Sequence, residues 1–533
     1  MEENDRSEKF SRIDTAALVL IGVGLFLRLL IGLQPPERLL PVCLADDAFY
    51  YLKIAANIWD GRGPTFDGHI ETNGYHPLWM GFSLLTVKIA GGVTGAARML
   101  TVLLALIGCG NNLLLWRLAR RITGPAGGIW AAGTWALGPY VFFTELMGVE
   151  APLMIFIALA AAHIYLSLQE TGDPPAGNWA FLGLLIGLAL LARTDAILMV
   201  LPFAVDVFVR FWLAKTKRQI RHSLLAAGVA LLTVAPWILY NLMAFGTVFQ
   251  DSARALVLRE RMWFAESGDT LLQMLSNQFQ IGIGDYLIRL VGLPNVAAVF
   301  GLAGMLIGGT IAARLISGRP VWRGRARGML YLLAWGGLTW IFYLLYFWQQ
   351  KFWYFLPVSL SLSLLGALAV GYLARHVGSH RQTPALFALL GVLLIGGFAL
   401  VGLKIWNSGY QPWQTTYVQV AQYLRELKQE KPDLKVGALN SGVISAWSGL
   451  DIVNLDGVVN PDAREAMEDR DFPGYLRREG IQVVVDHAKL LAAYHSFSHE
   501  DWRQVFRLLE SFPTKSSAGD ILVLRVIGVG EDW

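Results

Sequence analysis

Two adjacent carboxylates, Asp46 and Asp47, follow the first long apolar segment of the chain. Carboxylates this close raise each other's proton affinity, so one of them could act as a general base. A simpler interpretation is helix capping, because an Asp before AFYYLKIAANIW would accept hydrogen bonds from free backbone N–H groups. Capping accounts for one acid beside a membrane and leaves the second without a role. We therefore treat the two acids as candidate catalytic residues.

Cations and an aromatic residue suited to an anion recur farther along the chain: His76, Arg254, Arg259, Arg261, Lys351 and Tyr354. His76 comes just before a predicted helix, where backbone N–H groups already favour a phosphate. Cationic side chains form strong hydrogen bonds with phosphate oxygens. Alternatively, His76 is a residue at a helix start with no role in binding. As a group, these residues predict a phosphate-binding site.

Further polar residues lie near the predicted ends of apolar segments: Tyr50, Arg98, Glu150, Arg193 and Asp195. For each charged residue alone, snorkelling or a local ion pair is the simpler explanation, and Tyr50 could be an interfacial anchor. Charges near the membrane plane are costly, however, and their gathering on one face indicates a polar cavity.

The composition places these residues in a membrane protein. The chain has 533 residues, of which 55% are hydrophobic and 16% are charged, with a formal net charge of +4. Soluble domains usually contain about 25% charged residues. The basic residues cluster in loops without an aromatic platform, so nucleic acid is not an expected partner.

About eleven apolar segments are long enough to span a bilayer. They lie near 15–33, 97–117, 126–143, 150–168, 179–193, 196–213, 223–243, 289–313, 329–347, 354–374 and 384–404. A shorter stretch, PLWMGFSLLTVKIAGG, is expected to be an interfacial helix. This arrangement puts the basic clusters, such as WRLARR and KTKRQIR, in the cytoplasm with the N-terminus. Residues 1–405 then form the membrane domain, with outside loops at 34–95 and 244–288.

Residues 406–533 have the composition of a soluble domain, which the same topology places outside the cytoplasm. YVQVAQYLRELKQE predicts a helix, whereas KVGALN, DIVNL, IQVVVDH and ILVLRVI have the length and β-branching of strands. Strands alternating with helices indicate a small α/β domain. No internal repeat is evident, which weighs against a transporter built from inverted halves.

These residues resemble the GT-C membrane glycosyltransferases, which take sugars from polyprenyl-phosphate carriers. The matching stretches are DDAFYYLKIAANIWDGRGPTFDG, TNGYHPLW, MGVEAPL, LLARTDA, AFGTVFQDSARA, KFWYFLP and DIVNLDGVVN. The acidic pair after the first span is characteristic of the superfamily. The chain looks most like bacterial relatives of arabinofuranosyltransferases, aminoarabinose transferases and protein mannosyltransferases.

The resemblance implies an inverting transfer on the extracytoplasmic face of a bacterial plasma membrane, from a polyprenyl-phosphate sugar to a glycan, lipid or protein acceptor. Asp46 would deprotonate the acceptor hydroxyl, and Asp47 would assist or bind the acceptor. The donor phosphate would be bound by His76, Arg254, Lys351 and Tyr354. Arg254 stands where relatives commonly have lysine, and Lys351 where they often have arginine. Tyr50, Arg98, Glu150, Arg193 and Asp195 would bind sugar or acceptor, or support the site.

No cofactor is required by this chemistry, because cations can stabilise a single leaving phosphate. Mg²⁺ or Mn²⁺ bound at Asp46 stays an alternative, although no His/Cys cluster has metal-ligand spacing. Two other functions remain open at this stage. The charges could line a transport pathway, or the chain could be a non-catalytic membrane scaffold whose tail binds a partner.

Overall fold

The chain folds as a bundle of helices followed by a five-stranded sheet domain. The structure, a computed structural model, describes residues 11–170, 174–214, 217–268, 270–291, 320–347, 351–376, 382–498 and 500–530. Most of the predicted span at 289–313 lies outside the described residues. The predicted polytopic helical fold with a C-terminal α/β domain is confirmed, whereas the number of spans stays a prediction.

Helices account for nearly all of the described chain before the sheet domain. In order, they are α1 (Arg12–Gly32), α2 (Pro36–Val42), α3 (Asp46–Trp59), α4 (Pro77–Ala90), α5 (Val93–Thr123), α6 (Pro125–Leu137), α7 (Pro139–Thr144), α8 (Ala151–Glu170), α9 (Ala176–Ala192), α10 (Ile197–Ala214), α11 (Lys217–Phe245), α12 (Asp251–Ser267), α13 (Leu271–Phe279), α14 (Asp285–Val291), α15 (Pro320–Phe342), α16 (Leu356–His376) and α17 (Gln382–Ser408). Several begin with proline, whose fixed φ and missing N–H suit the first helical position.

Among the described residues, six helical segments are long and apolar enough to cross a membrane: Arg12–Gly32, Val93–Thr123, Ala151–Glu170, Ile220–Phe245, Met329–Tyr346 and Phe352–Ala374. The predicted segment 126–143 is divided into α6 and α7 at Gly138. Pro139 explains the division, because its ring cannot continue the preceding helix. At 14 residues, α4 is about 21 Å long, which is shorter than the hydrocarbon core of about 30 Å.

Both predicted outside loops contain helices. The first loop contains α3 and α4, which pack against each other. The second contains α12 and α13, where the sequence analysis described only a loop. α12 packs against the sheet domain as well as against the helical turn Tyr343–Phe347. The loops are therefore ordered walls that can hold side chains in place.

The sheet domain is built on strands β1 (Val436–Ala438), β2 (Val453–Asn454), β3 (Val483–His487), β4 (Phe506–Phe512) and β5 (Ile521–Val526), in the order β2-β1-β3-β5-β4. β1 pairs in parallel with β2 and β3, and β5 runs antiparallel to β3 and β4. Its helices are α18 (Gln414–Glu430), α19 (Gly442–Ser448), α20 (Pro461–Glu468), α21 (Phe472–Arg478), α22 (Ala488–Ala493) and α23 (Trp502–Val505). The four predicted strands are present, and edge strand β4 was missed.

Candidate active site

A cavity of about 650 Å³ lies between the two outside loops and the ends of neighbouring helices. Its walls are largely apolar, and Phe249 and Tyr346 are exposed beside it. The predicted site residues on its walls are Asp47, Tyr50, His76, Glu150, Arg193, Asp195, Arg254 and Tyr354. An apolar cavity with a few converging charges suits a ligand with a lipid part and an ionic part.

Asp47 presents its carboxylate to this cavity from the first turn of α3. Its Oδ2 accepts a hydrogen bond from Nζ of Lys351 at 2.6 Å. Lys351 precedes the helical turn Phe352–Phe355, so the pair joins the first outside loop to the start of a predicted span. Burial is the largest effect on the pKa of Lys351 and lowers it, but the Asp47 charge, Tyr354 and the hydrogen bond to Asp47 together outweigh burial and raise the pKa. The lysine therefore stays charged.

Asp46 points away from the cavity and into the sheet domain. Its two carboxylate oxygens accept hydrogen bonds from the backbone N–H of Gly442 at 3.2 Å and of Val443 at 2.7 Å. Burial, with a smaller effect from the Asp47 charge, raises the pKa of Asp46 to about 7, although the N–H of Val443 opposes the change. The two adjacent acids thus have different surroundings.

Glu150, Arg193 and Asp195 form a second charged group on the cavity wall. The guanidinium of Arg193 donates to Oε1 of Glu150 at 2.6 Å and to both carboxylate oxygens of Asp195 at 2.8 and 3.0 Å. It also lies 4.3 Å from the ring centre of Tyr354, and Tyr343 donates to Asp195. The two acids neutralise the charge of Arg193. Its role is therefore to link Glu150 and Asp195 on the cavity wall.

His76 differs from the expected phosphate-binding cation. Burial lowers its pKa, against the opposing charge of Glu150, so the imidazole is mainly neutral at pH 7. Its Nδ1 lies 3.2 Å from Nε2 of Gln250, and its Nε2 lies 3.7 Å from Oε1 of Glu150. His76 could donate a hydrogen bond to a ligand, but it contributes little positive charge.

The second outside loop supplies arginines from α12. Arg254 lies on the cavity wall with 42% of its side chain exposed, and its ion-pair distances to Asp251 and Glu468 are both 3.7 Å. Arg261 also lines the cavity, 5.5 Å from the ring centre of Tyr346. Arg259 instead faces the sheet domain, 3.4 Å from Asp456. Two of the three arginines are therefore available to an anion in the cavity.

Arg98 is the predicted site residue that the structure separates from the others. It is exposed in the second turn of α5 and does not line the cavity. The sequence placed it by its position near a span end, which does not fix the direction of a helical side chain. Glu145, in the same turn region as Glu150, is instead buried and paired with Arg28 at 2.9 Å.

Some cavity residues were missed by the sequence analysis, among them Gln250, Tyr343, Tyr346 and Val458. The aromatic-rich run IFYLLYFW, which contains both tyrosines, was the available signal for Tyr343 and Tyr346, and Gln250 lies in the matching stretch AFGTVFQDSARA. Val458 comes from the sheet domain and belongs to DIVNLDGVVN, which was recognised only as a matching stretch. Its contribution depends on how the domain docks, which no local pattern reveals.

The acids at the site do not form a metal-binding cluster. Among the described residues, no group of three or more His, Cys, Asp or Glu side chains could hold a metal ion. Asp46 is engaged by two N–H groups, and Asp47 is paired with Lys351. This donor set does not fit Mg²⁺ or Mn²⁺, which prefer several converging oxygen ligands.

Comparisons with known proteins give a family match over part of the chain and a fold over nearly all of it. Residues 76–240 match the family described as dolichyl-phosphate-mannose-protein mannosyltransferase. Residues 406–524 match a domain of unknown function. No curated protein sequence matches the chain.

Solved structures of two proteins match almost the whole chain. ArnT from Cupriavidus metallidurans bound to undecaprenyl phosphate is 12% identical, with a TM-score of 0.59, and the match covers 97% of this chain and 99% of that one. The Archaeoglobus fulgidus oligosaccharyltransferase in complex with zinc and sulfate is 14% identical, with a TM-score of 0.59 and coverage of 93% and 72%. The same enzyme tethered to an acceptor peptide is 13% identical, with a TM-score of 0.60 and coverage of 96% and 74%.

Sequence identities this low establish only a shared fold. The chemistry must be argued from the family match and from the residues of the site. The matched family segment contains His76, Glu150, Arg193 and Asp195, all of which line the cavity. The chain is a membrane protein with the GT-C fold, and the family match together with this fold indicates a glycosyltransferase.

Proposed function

We propose that this protein transfers a sugar from a polyprenyl-phosphate carrier to an acceptor hydroxyl, with inversion at the anomeric carbon. The observation that supports this most strongly is the Asp47–Lys351 pair, at 2.6 Å, beside a cavity with apolar walls and further cations. A carboxylate and an ammonium group side by side supply the two functions that the reaction needs. They are a base for the acceptor and a charge partner for the departing phosphate.

In the proposed step, Asp47 accepts the proton of the acceptor hydroxyl while the oxygen attacks the anomeric carbon. The bond between that carbon and the phosphate oxygen breaks, and its electron pair leaves with the polyprenyl phosphate. Lys351, Arg254 and Arg261 stabilise the added negative charge. Family resemblance gives the role of base to Asp46, but the geometry favours Asp47, because its carboxylate is on the cavity wall.

The ion pair would also couple the base to donor binding. Lys351 pairs with Asp47 and offsets its negative charge. A donor phosphate would compete for the ammonium group, and Asp47 would then be released as a proton acceptor. In this way the base would become available only after the sugar is bound.

Membrane location follows from the fold and the apolar helices. The basic loops support a bacterial plasma-membrane protein with a cytoplasmic N-terminus and an extracytoplasmic sheet domain. ArnT bound to undecaprenyl phosphate supports a polyprenyl-phosphate donor here, and the oligosaccharyltransferase tethered to an acceptor peptide supports a separate acceptor. We propose a glycan, lipid or protein acceptor accordingly.

The proposal can be tested without knowing the sugar. Deletion of the gene should cause a polyprenyl-phosphate sugar to accumulate, which mass spectrometry of the lipid extract would detect. Wild-type protein should clear it, whereas Asp47→Asn should lower turnover by about 10²–10⁴-fold, the usual effect of a general base.

Asp46→Asn serves as the matched comparison, because it removes the neighbouring charge and leaves the cavity carboxylate in place. Immunoblots of membranes would establish equal amounts of each protein. Absence of any accumulated lipid in the deletion strain would refute the glycosyltransferase proposal. Full clearance by Asp47→Asn would instead remove only Asp47 from the role of base.

A further inference from the structure

The sheet domain contacts the acidic pair through one short segment, residues 439–443. Asp46 accepts two backbone hydrogen bonds from it, from Gly442 at 3.2 Å and Val443 at 2.7 Å. A carboxylate that accepts two N–H groups from one segment fixes both its position and its rotation.

Tyr50 makes a second contact with the same segment, one turn along α3. Its hydroxyl donates to the carbonyl of Leu439 at 3.2 Å and accepts from the N–H of Ser441 at 3.4 Å. Residues four apart lie on the same helix face, so Asp46 and Tyr50 present one face of α3 to the segment. Asp47 follows Asp46 directly and points to the cavity.

The segment is itself held by the sheet. The buried carboxylate of Asp486, in β3, accepts hydrogen bonds from the backbone N–H of Asn440 at 2.5 Å and from the hydroxyl of Tyr417 at 2.9 Å. A continuous set of hydrogen bonds therefore leads from the sheet to the first turn of α3. Lys53 and Arg62 add ion pairs to Asp451 at 3.0 and 3.1 Å.

The fit leaves no space for a side chain at two glycines on this boundary. A Cβ at Gly442 would lie 2.3 Å from the backbone oxygen of Asp46. A Cβ at Gly74 would lie 2.0 Å from the carbonyl oxygen of Val458, a residue that lines the cavity. Backbone-to-backbone approach of this kind cannot be relieved by a side-chain rotation.

We propose that the sheet domain is a positioning part of the active site: segment 439–443, through Asp46 and Tyr50, fixes the first turn of α3 and thereby aims Asp47 at the acceptor. This inference rests on the proposed function. Asp46 and Tyr50 are then positioning residues, and Asp47 is the residue that touches the reacting atoms. A base displaced by about 1 Å loses on the order of 10²-fold in rate, so the segment affects turnover without touching substrate.

Two substitutions disturb the contact from opposite sides. Gly442→Ala forces the segment away from Asp46, and Tyr50→Phe removes the hydroxyl while it keeps the ring. The control is Gly81→Ala, because Gly81 is also in the first outside loop and a Cβ there meets nothing within 4 Å. The substrate is the lipid-linked sugar extracted from the deletion strain, and the protein is the full chain in detergent or nanodiscs.

We expect Gly442→Ala and Tyr50→Phe to lower kcat at least about tenfold, with the donor KM changed by no more than about threefold and with unaltered binding of undecaprenyl phosphate. Gly81→Ala should match wild type in all three measurements. Loss of undecaprenyl phosphate binding in both variants would overturn the positioning role and indicate general disruption. Unchanged kcat in both would overturn it as well.

Asp46→Asn separates positioning from catalysis. The amide keeps one acceptor for the N–H groups of Gly442 and Val443, so kcat should fall less than in Asp47→Asn. If Asp46→Asn were instead as inactive as Asp47→Asn while it still bound undecaprenyl phosphate, Asp46 would be part of the chemistry and the positioning role would be wrong. A wild-type protein without turnover would refute the proposed function and is a different result from any of these.

Discussion

Asp46 and Asp47 are neighbours in sequence with opposite environments. Asp46 is buried against two backbone N–H groups of the sheet domain, and Asp47 lies at the cavity beside an ammonium group. The sequence suggested that an aspartate caps a helix. Asp46 does accept hydrogen bonds from backbone N–H groups at a helix start, but that helix is α19 and not α3. The division of roles depends on a contact between residues far apart in sequence.

The raised pKa of Asp46 predicts pH-dependent docking of segment 439–443. A carboxyl whose pKa rises from 3.8 to about 7 on burial favours the docked state when it is protonated. The resulting stabilisation is complete below pH 3.8 and is lost as pH rises through about 7. The protection of the Gly442 and Val443 amides against hydrogen exchange, corrected for the intrinsic rate, should therefore fall between pH 6 and 8.

Asp46→Asn should remove this pH dependence, because the amide does not titrate in that range. Tyr50→Phe should retain it, since the carboxyl and its burial remain. Constant protection of both amides across the range in the wild-type protein would show that Asp46 does not titrate near neutrality.

At the residue scale, the types of the site residues were predictable and their pairings were not. The sequence indicated outside cations, and Arg254 and Lys351 are at or beside the cavity. It did not reveal that Arg193 is neutralised by Glu150 and Asp195, or that burial keeps His76 neutral. Charge state depends on neighbours contributed by other helices.

At the scale of elements, α12 is tied to the sheet domain by ion pairs along its length. Asp251 accepts from Arg464 at 3.1 Å, and Arg259 lies 3.4 Å from Asp456. The same helix places Arg254 and Arg261 on the cavity wall. The sheet domain thus contacts the second outside loop as well as the first.

Arg464→Met tests this link, because both side chains of the Arg464–Asp251 pair are only 3% exposed. Breaking a buried ion pair typically costs about 3–5 kcal/mol, and the loss here should be smaller because Arg254 still lies 3.7 Å from Asp251. We expect a lower free energy of unfolding and a higher donor KM, since α12 would hold its arginines less firmly. Thermal unfolding in detergent and initial rates with the lipid-linked sugar would measure the two effects.

Asp251→Asn combined with Arg464→Met should recover part of both losses, because position 251 then no longer holds a buried acid that has lost its nearest cation. Additive losses in the double variant would mean that the two residues act independently.

The sequence predicted elements best where burial leaves a clear pattern. β1, β2, β3 and β5 are apolar runs and were recognised, whereas β4 contains Arg507 and Glu510 on an exposed edge and was not. α12 was missed as a helix because it is amphipathic only in relation to a cavity and a docked domain. The apolar residues of such a helix face different neighbours on different sides, so they do not form one stripe along the sequence.

For the whole molecule, the central question is which side of the membrane each part occupies. The sheet domain packs against the first and second outside loops, so the three must share one side. The basic clusters WRLARR and KTKRQIR predict that this side is extracytoplasmic. The fold is therefore consistent with the predicted orientation.

Reporter fusions would determine the orientation. Alkaline phosphatase joined after the last residue should be active, and green fluorescent protein there should not fluoresce when exported. The reverse pattern is expected for fusions truncated after Arg121, which ends WRLARR. A fluorescent C-terminal fusion would contradict an extracytoplasmic active site.

The contact between Asp46 and Gly442 joins residues 396 positions apart. At ordinary elongation rates, roughly 20–80 s pass between synthesis of the first and the second. During that interval the acidic pair is already made, while the backbone groups that hold it do not yet exist. A nascent or truncated chain would therefore carry the acids without the geometry to use them, and the proposed carrier lipid would be consumed only by finished molecules.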